Sequence, residues 1–398
     1  LPSSWYVSSH PYILSDDPWD GTVTDWNLYD PSFPLTSFFH PATSPTTTPP
    51  TGQLYPITMP LSQHIRTIPA TSITQLPTSP TAKSHFRVNF PENFVGIVNI
   101  TFPTPPPFNA TLTIKHGEIT FPNGSVSFPF GETEQTDVHI FDGKTTSVTP
   151  RFTWHGFQFA EVHASFSVSP SASMFQGYLL ATDLPETGSI VFQGPSSALF
   201  NSILTITKNS QRSNTAAYMP TDCPTREKHF WLGDALSTVQ EATFNLFMAP
   251  MYVTGLDLIA DDQTPTGDIP GVVPNVEKGS GARVGGAGGN TDISWSAAYV
   301  QIARFMMERY GDVSVVKRHY AGLRAFTDNL MASAVKMGWK IPQDWTWGDW
   351  CSVESRAIAT PNTGPPLAAF NYINVVDSMA IFADVVGNAS DAARYRSL

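Results

Sequence analysis

Residues 220–234 read Pro-Thr-Asp-Cys-Pro-Thr-Arg-Glu-Lys-His-Phe-Trp-Leu-Gly-Asp, and the chain changes character on either side of them. Before about residue 195, apolar residues alternate with a period of two; after it, they recur every three to four residues. Within the stretch, three acids (Asp222, Glu227 and Asp234) share thirteen residues with Arg226, His229 and Trp231. Glycoside hydrolysis uses such a set. One carboxyl protonates the leaving oxygen, further acids hold sugar hydroxyls, and an aromatic face covers the ring. A solvated loop in which Asp234 only starts the next helix has the same spacing. Residue types alone leave both readings open.

The chain has 398 residues, enough for two or three domains. A formal net charge of −11 argues against nucleic acid or an anionic membrane surface as the main partner. The sequence shows no membrane-spanning run. Four sequons, at Asn99, Asn109, Asn123 and Asn388, lead us to expect a secreted glycoprotein from a eukaryotic secretory pathway. The two cysteines, Cys223 and Cys351, fall in loops near the acidic stretch, where a disulfide and two buried thiols are both open. Two cysteines make no zinc site, and neither metal nor cofactor is expected.

Residues 1–84 carry Pro, Ser and Thr clusters and read as an extended lead-in, anchored by aromatics such as Trp5, Trp19 and Trp26 on the next domain. Residues 85–194 read as a β-sandwich. Strands are expected at 86–90, 94–102 and 111–114, and along 152–162 with Gly156 as a bulge. His155 and Glu161 are isolated polar residues there, expected to be structurally satisfied. From 195 the pattern is helical. Helices are expected from Pro195, from Asp234 to about Met248 with a stop near Pro250, over 293–310, over 313–335, and from Asn371 to Val386. Residues 254–290 read as a long loop holding a glycine tract from Gly279 to Gly289. Residues 345–351 crowd Trp345, Trp347 and Trp350 around Asp349, either as an aromatic plug or as a sugar platform.

The acidic stretch resembles the active-site signature of glycoside hydrolase family 78, the α-L-rhamnosidases, which reads Asp-Cys-Pro-x-Arg-(Asp/Glu)-Glu-x-x-Gly-Trp-x-Gly-Asp. This chain is one residue shorter between Arg226 and Trp231 and has Phe230 at the usual glycine. Further phrases follow in the family's order: Thr149 to Phe157, Gln211 to Asn214, Gly267 to Pro270, Tyr310 to Asp312, and Gly348 to Trp350. The resemblance implies a jelly-roll-like β-sandwich at 85–194 and the first half of an (α/α)6 barrel at 195–398. It implies an inverting enzyme releasing terminal α-L-rhamnose or a related 6-deoxy sugar. Glu227 would be the general acid, with a pKa raised by Asp222 and Asp234. Asp222 and Asp234 would hold hydroxyls, Arg226 would orient an acid, and Trp231, Trp295, Asp349 and Trp350 would line the sugar site.

Two departures from the family bear on function. The family's Trp-Gly-Asp-Ala reads Trp295-Ser-Ala-Ala298 here, so the aspartate is lost; Asp292, one turn earlier, is a partial substitute. The family's general base is a glutamate beyond the counterpart of Leu398, which leads us to expect a companion polypeptide carrying the rest of the barrel. A catalytically inactive relative that binds rhamnose-bearing glycans, or serves as a surface glycoprotein, is the alternative.

Overall fold

The computed structural model describes residues 6–8, 11–29, 39–41, 56–78, 82–127, 133–217, 219–275, 292–336, 338 and 364–398. Asp349, Trp350, Cys351 and the glycine tract lie outside them.

Ten strands form one sheet: β1 (Ile13–Asp17), β2 (Gly21–Asp25), β3 (Ser62–Pro69), β4 (Ser72–Gln75), β5 (Ser84–Thr101), β6 (Thr111–Gly117), β7 (Thr136–Ile140), β8 (Ser147–Val148), β9 (His155–Ala164) and β10 (Phe175–Thr182). The order is β1-β2-β7-β6-β9-β5-β10-β3, with β4 and β8 also paired to β5. Only β2 and β7 run parallel. Alternation puts Phe86, Val88 and Phe90 of β5, Leu112 and Ile114 of β6, and Ala160 and Val162 of β9 on one face. Burying that face against itself curls the sheet around a single apolar core.

Three details differ from the sequence reading. The two strands expected at 86–90 and 94–102 are one strand, β5. The irregularity also lies on β5 rather than at Gly156: Phe157 pairs with Phe94 and Phe159 with Asn89, so two steps of β9 span five of β5. Pro91, which has no N–H to give a ladder, sits inside that excess. The lead-in supplies four strands, including eight-residue β3. It does so at the two ends of the sheet, where prolines are tolerated.

The helical part contains α1 (Ser197–Ser213), α2 (Leu232–Asn245), α3 (Ala249–Asp262), α4 (Ile293–Ser296), α5 (Ala298–Tyr310), α6 (Ser314–Lys336), α7 (Gly364–Val385) and α8 (Ala389–Arg396). Helix α3 falls partly where a loop was expected. Pro250 starts this helix instead of ending the previous one, because a first-turn proline loses no intrahelical bond. Helices α2, α3, α5, α6 and α7 share one core that includes Val239, Leu256, Tyr299, Phe326 and Phe382. Gly311 ends α5 in the left-handed conformation, as expected. Helix α1 leans on β5 and β10, and the apolar stripe of Leu199, Ile203 and Ile206 faces solvent. Contrary to the sequence reading, Pro366–Val385 is apolar enough by length and composition to cross a membrane. Its composition is explained by packing: Val375, Met379 and Phe382 lie in the helical core.

Candidate active site

Residues 220–234 fold into a compact loop clamped between the two domains. The Asp222 N–H donates to the His229 carbonyl (3.0 Å), and the Lys228 N–H to the Cys223 carbonyl (3.1 Å). Phe230 and Trp231 then pair antiparallel with Val273 and Val272, and this short ladder delivers the chain into α2. Lys228 takes a left-handed backbone (φ 54°) that a lysine rarely adopts. Its buried ammonium donates to the carbonyls of Pro18 and Trp154 and lies 5.0 Å from the Trp154 ring centre. Burial drives the Lys228 pKa down to about 7, against attraction from Asp137 and Asp17. The β-domain thus grips the loop through a residue whose charge is marginal at neutral pH.

Glu227 is fixed from three sides. Arg226 donates to its Oε1, and the Trp231 indole N–H donates to its Oε2 at 2.5 Å. The Trp19 indole N–H donates to its backbone carbonyl at 2.7 Å. Arg226 and Glu227, neighbours in the chain, thus meet through their side chains. Trp231 acts on Glu227 as a hydrogen-bond donor, a role that residue type alone did not suggest.

Asp222 accepts the His229 N–H (3.1 Å) at Oδ1 and the Cys223 thiol (3.1 Å) at Oδ2. Burial pushes its pKa up, and the Glu227 charge adds to the rise. Asp234 is the third residue of α2, not its cap; Trp231 occupies the cap position. Its side chain opens at the rim, but protein walls on the other sides exclude enough water to raise its pKa to about 6. The charges of Asp222 and Glu227 contribute to the same rise. Cys223 is a free thiol, and burial raises its pKa as well. Its sulfur is engaged with Asp222 and with the Glu227 N–H (3.3 Å), so it takes part in the loop's own bonding instead of a bridge.

Asp222 and Asp234 open onto a cavity of about 430 Å³ between α1, α2 and the loop. Glu227 is not part of its wall, although its charge reaches both aspartates. Its wall is more apolar than polar, with hydroxyl and amide groups supplied by Ser210, Gln211, Asn214, Thr221, Ser237 and Thr238. Ala242, Met248 and Tyr252 supply an apolar side. Sequence reasoning missed Glu241, whose carboxyl also lines the cavity and has its pKa raised by burial. A signal was present: Asp234, Ser237, Thr238 and Glu241 recur at the three-to-four-residue spacing of one helix face.

Trp295 is buried and does not line the cavity. A Cβ on Gly233 would come within 2.4 Å of its indole, so Trp295 packs under the turn that carries Asp234. Asp292 caps α4, its Oδ1 accepting the Ser294 N–H at 2.8 Å. Asp349, Trp350 and Cys351 are beyond the described residues. Among the sequons, Asn109 and Asn123 are exposed. The Asn99 amide donates to Thr149 and Ser147 within the sheet, and Asn388 caps α8.

Beneath the loop, His155 is not isolated. Its Nε2 donates to both oxygens of Asp137 (3.1 and 3.2 Å), and its ring stacks on His116 at 4.2 Å. Burial holds His116 neutral, lowering its pKa to about 3, with the His155 charge acting in the same direction.

Known proteins resemble both halves of this architecture. Residues 80–181 match the bacterial alpha-L-rhamnosidase concanavalin-like domain, and residues 187–398 match the bacterial alpha-L-rhamnosidase 6 hairpin glycosidase domain. The chain belongs to the bacterial alpha-L-rhamnosidase family, with a β-domain followed by six-hairpin glycosidase helices. An alpha-L-rhamnosidase of Formosa agariphila is 29% identical over 248 residues, 60% of this chain and 24% of that protein. One from Streptomyces avermitilis is 26% identical over 316 residues, 79% of this chain and 28% of that protein. The solved alpha-L-rhamnosidase from Dictyoglumus thermophilum superposes with a TM-score of 0.83 at 26% identity, covering 96% of this chain and 41% of that one. The chain thus spans about a quarter of the length of these curated relatives. Each relative carries the matched stretch and the remainder in one polypeptide, which gives a separate companion chain no support.

Proposed function

We propose that this chain supplies the acid-bearing side of an α-L-rhamnosidase active site in a secreted, inverting glycoside hydrolase. One observation carries the reading: Glu227, gripped by Arg226 and Trp231, acts electrostatically on Asp222 and Asp234, and both open onto a cavity whose mainly apolar wall carries hydroxyl and amide groups. A 6-deoxy sugar suits such a cavity. Its hydroxyls meet the carboxylates, serines and threonines, while its methyl group lies toward Met248 and Tyr252. Glu227 is the general acid that protonates the glycosidic oxygen. Asp222 and Asp234 hold sugar hydroxyls. Inversion requires a second carboxylate about 6.5–9.5 Å from the acid to activate water. We assign that base to the portion of the relatives' fold without a counterpart in residues 1–398.

The test is rhamnose release from an aryl α-L-rhamnoside by the full-length protein, with the anomer followed by NMR. Release of β-rhamnose, abolished in Glu227→Gln with sugar binding retained, is the expected result. Unchanged turnover in that variant would move the acid elsewhere. One observation favours a second reading, an inactive glycan-binding relative: buried Ala297 stands where the family has an aspartate. Rhamnoside binding without release would select it.

A further inference from the structure

A second constellation lies outside the active site, on the face of the sheet that turns away from the β-domain core. His85 of β5 and His163 of β9 are direct cross-strand partners, and Glu161 lies two residues before His163 on the same face. Ala160, Val162 and Ala164 point the other way, into the core. One carboxylate oxygen, Glu161 Oε1, lies 2.7 Å from His85 Nε2 and 3.0 Å from His163 Nε2. The other, Oε2, accepts the Val126 N–H at 2.7 Å and so fastens the hairpin that covers this face.

The hydrogen bonding of His85 is the unusual feature. Its Nδ1 lies 2.5 Å from the Pro77 carbonyl, which can only accept, so Nδ1 carries a proton. Its Nε2 faces another acceptor, Glu161 Oε1. Both ring nitrogens are therefore engaged, one by a backbone carbonyl and the other by the carboxylate. A divalent metal would take the Nε2 lone pair in place of the direct contact with Glu161, while Nδ1–H stays on the carbonyl. A backbone carbonyl that fixes the tautomer is the usual outer support of a metal-binding histidine.

We propose that His85, Glu161 and His163 form a zinc-class metal site that pins the 119–127 hairpin and the Pro77 turn onto the sheet. Two imidazoles and one carboxylate are a recognised three-ligand set for Zn²⁺, with water as the fourth ligand. All three ligand atoms lie within 4.8 Å of one another. Bonds of 2.0–2.1 Å place tetrahedral ligands about 3.3 Å apart, so the carboxylate has to withdraw by about 0.6 Å from His85 and about 0.3 Å from His163, and the two rings, stacked 4.1 Å apart, have to turn their Nε2 atoms toward the ion. The ligands stand on paired strands, which fixes their spacing. The His163 side chain is 29% exposed, which leaves a path for the ion and its water. Arg87, on the same face, is turned away to the Gly124 carbonyl (2.7 Å) and over the Phe159 ring. The other histidine cluster, His116, Asp137 and His155, fits a metal less well. It is sealed, Asp137 Oδ1 already accepts the Thr22 N–H, and the charge of Lys228 is felt there.

The test is calorimetric titration of the chelator-stripped protein with Zn²⁺, paired with thermal melts. One equivalent binds to the wild type and raises Tm. His163→Ala, at the half-buried edge of the site, loses the Tm rise and binds at least a hundredfold more weakly. Glu161→Gln behaves similarly; should it fail to fold because Val126 loses its acceptor, His163→Ala decides. Asp137→Asn leaves the binding unchanged. Absence of Zn²⁺ binding by the wild type would overturn the proposal. Equal binding by His163→Ala, or binding lost only in Asp137→Asn, would do the same.

Discussion

Gly156 lies so close beneath Thr225 that a Cβ on the glycine would come within 2.4 Å of the Thr225 methyl group. The glycine sits in β9, in register with Val95, so it needs no special backbone conformation there. What it provides is closeness: the acidic loop rests on the β-domain with no side chain between. Gly156→Ala forces the loop outward and takes Glu227 and Asp222 with it. Overpacking of this kind costs about 1–3 kcal/mol. A shift of about 1 Å in a catalytic group costs about a hundredfold in rate. We expect kcat/KM on an aryl rhamnoside to fall by about that factor while the fold survives. Steady-state kinetics beside a denaturant melt separates the two effects.

That contact marks the limit of what residue patterns reveal. The alternation in β5 and β6 and the helical spacing of α5 and α6 are local signals, and the elements fall close to where those signals place them. The wording of residues 220–234 named the loop residues, and Arg226 and Glu227 do meet. Patterns failed wherever the deciding partner is distant in sequence. Lys228 looks like a solvated loop residue, yet Pro18 and Trp154 bury it. Trp19 reads as a general anchor, and its target is the Glu227 carbonyl, 208 residues away. Trp231 and Trp295 both read as sugar walls, but one donates to Glu227 and the other packs under Gly233. Pro250 was ambiguous by nature, since proline both ends and begins helices.

Lys228 gives the loop a pH-dependent attachment. Its folded pKa of about 7 lies below the 10.5 of the free side chain. Between those values the unfolded chain binds the proton and the folded chain does not. Stability therefore rises with pH through this window, by up to about 1.4 kcal/mol per unit for one such proton. Lys228→Met removes the titrating group and two donors to carbonyls. We expect it to flatten the urea stability profile between pH 7 and 10. A slope preserved in Lys228→Met would assign the effect to another group.

His116 acts at the acid end. Held neutral to about pH 3 by burial, it cannot accept the proton that the unfolded chain takes up near 6.5. Stability therefore falls as pH drops from about 6.5 toward 3. His116→Phe keeps an aromatic ring against His155 and Phe157, but loses the bond from Nδ1 to the Gln135 carbonyl. The variant should be about 1 kcal/mol less stable at pH 7, the usual worth of one such bond. It should lose less stability than the wild type on going to pH 4. Melting temperatures across that range read both changes.

Asp234 connects electrostatics to turnover. Its carboxyl titrates near pH 6 because burial and the charges of Asp222 and Glu227 oppose its ionisation. In the role proposed for it, holding sugar hydroxyls, it works best as an acceptor, hence ionised. The kcat/KM profile of the full-length protein should therefore decline below about pH 6. Asp234→Asn replaces one acceptor oxygen with a donor. It should lower kcat/KM about a hundredfold, as removal of a charged hydrogen-bonding partner at about 2–3 kcal/mol implies. Its remaining profile should lack the limb near pH 6. A limb that stays at pH 6 in Asp234→Asn would assign the titration to another acid, with Asp222 and Glu241, both raised by burial, next to examine.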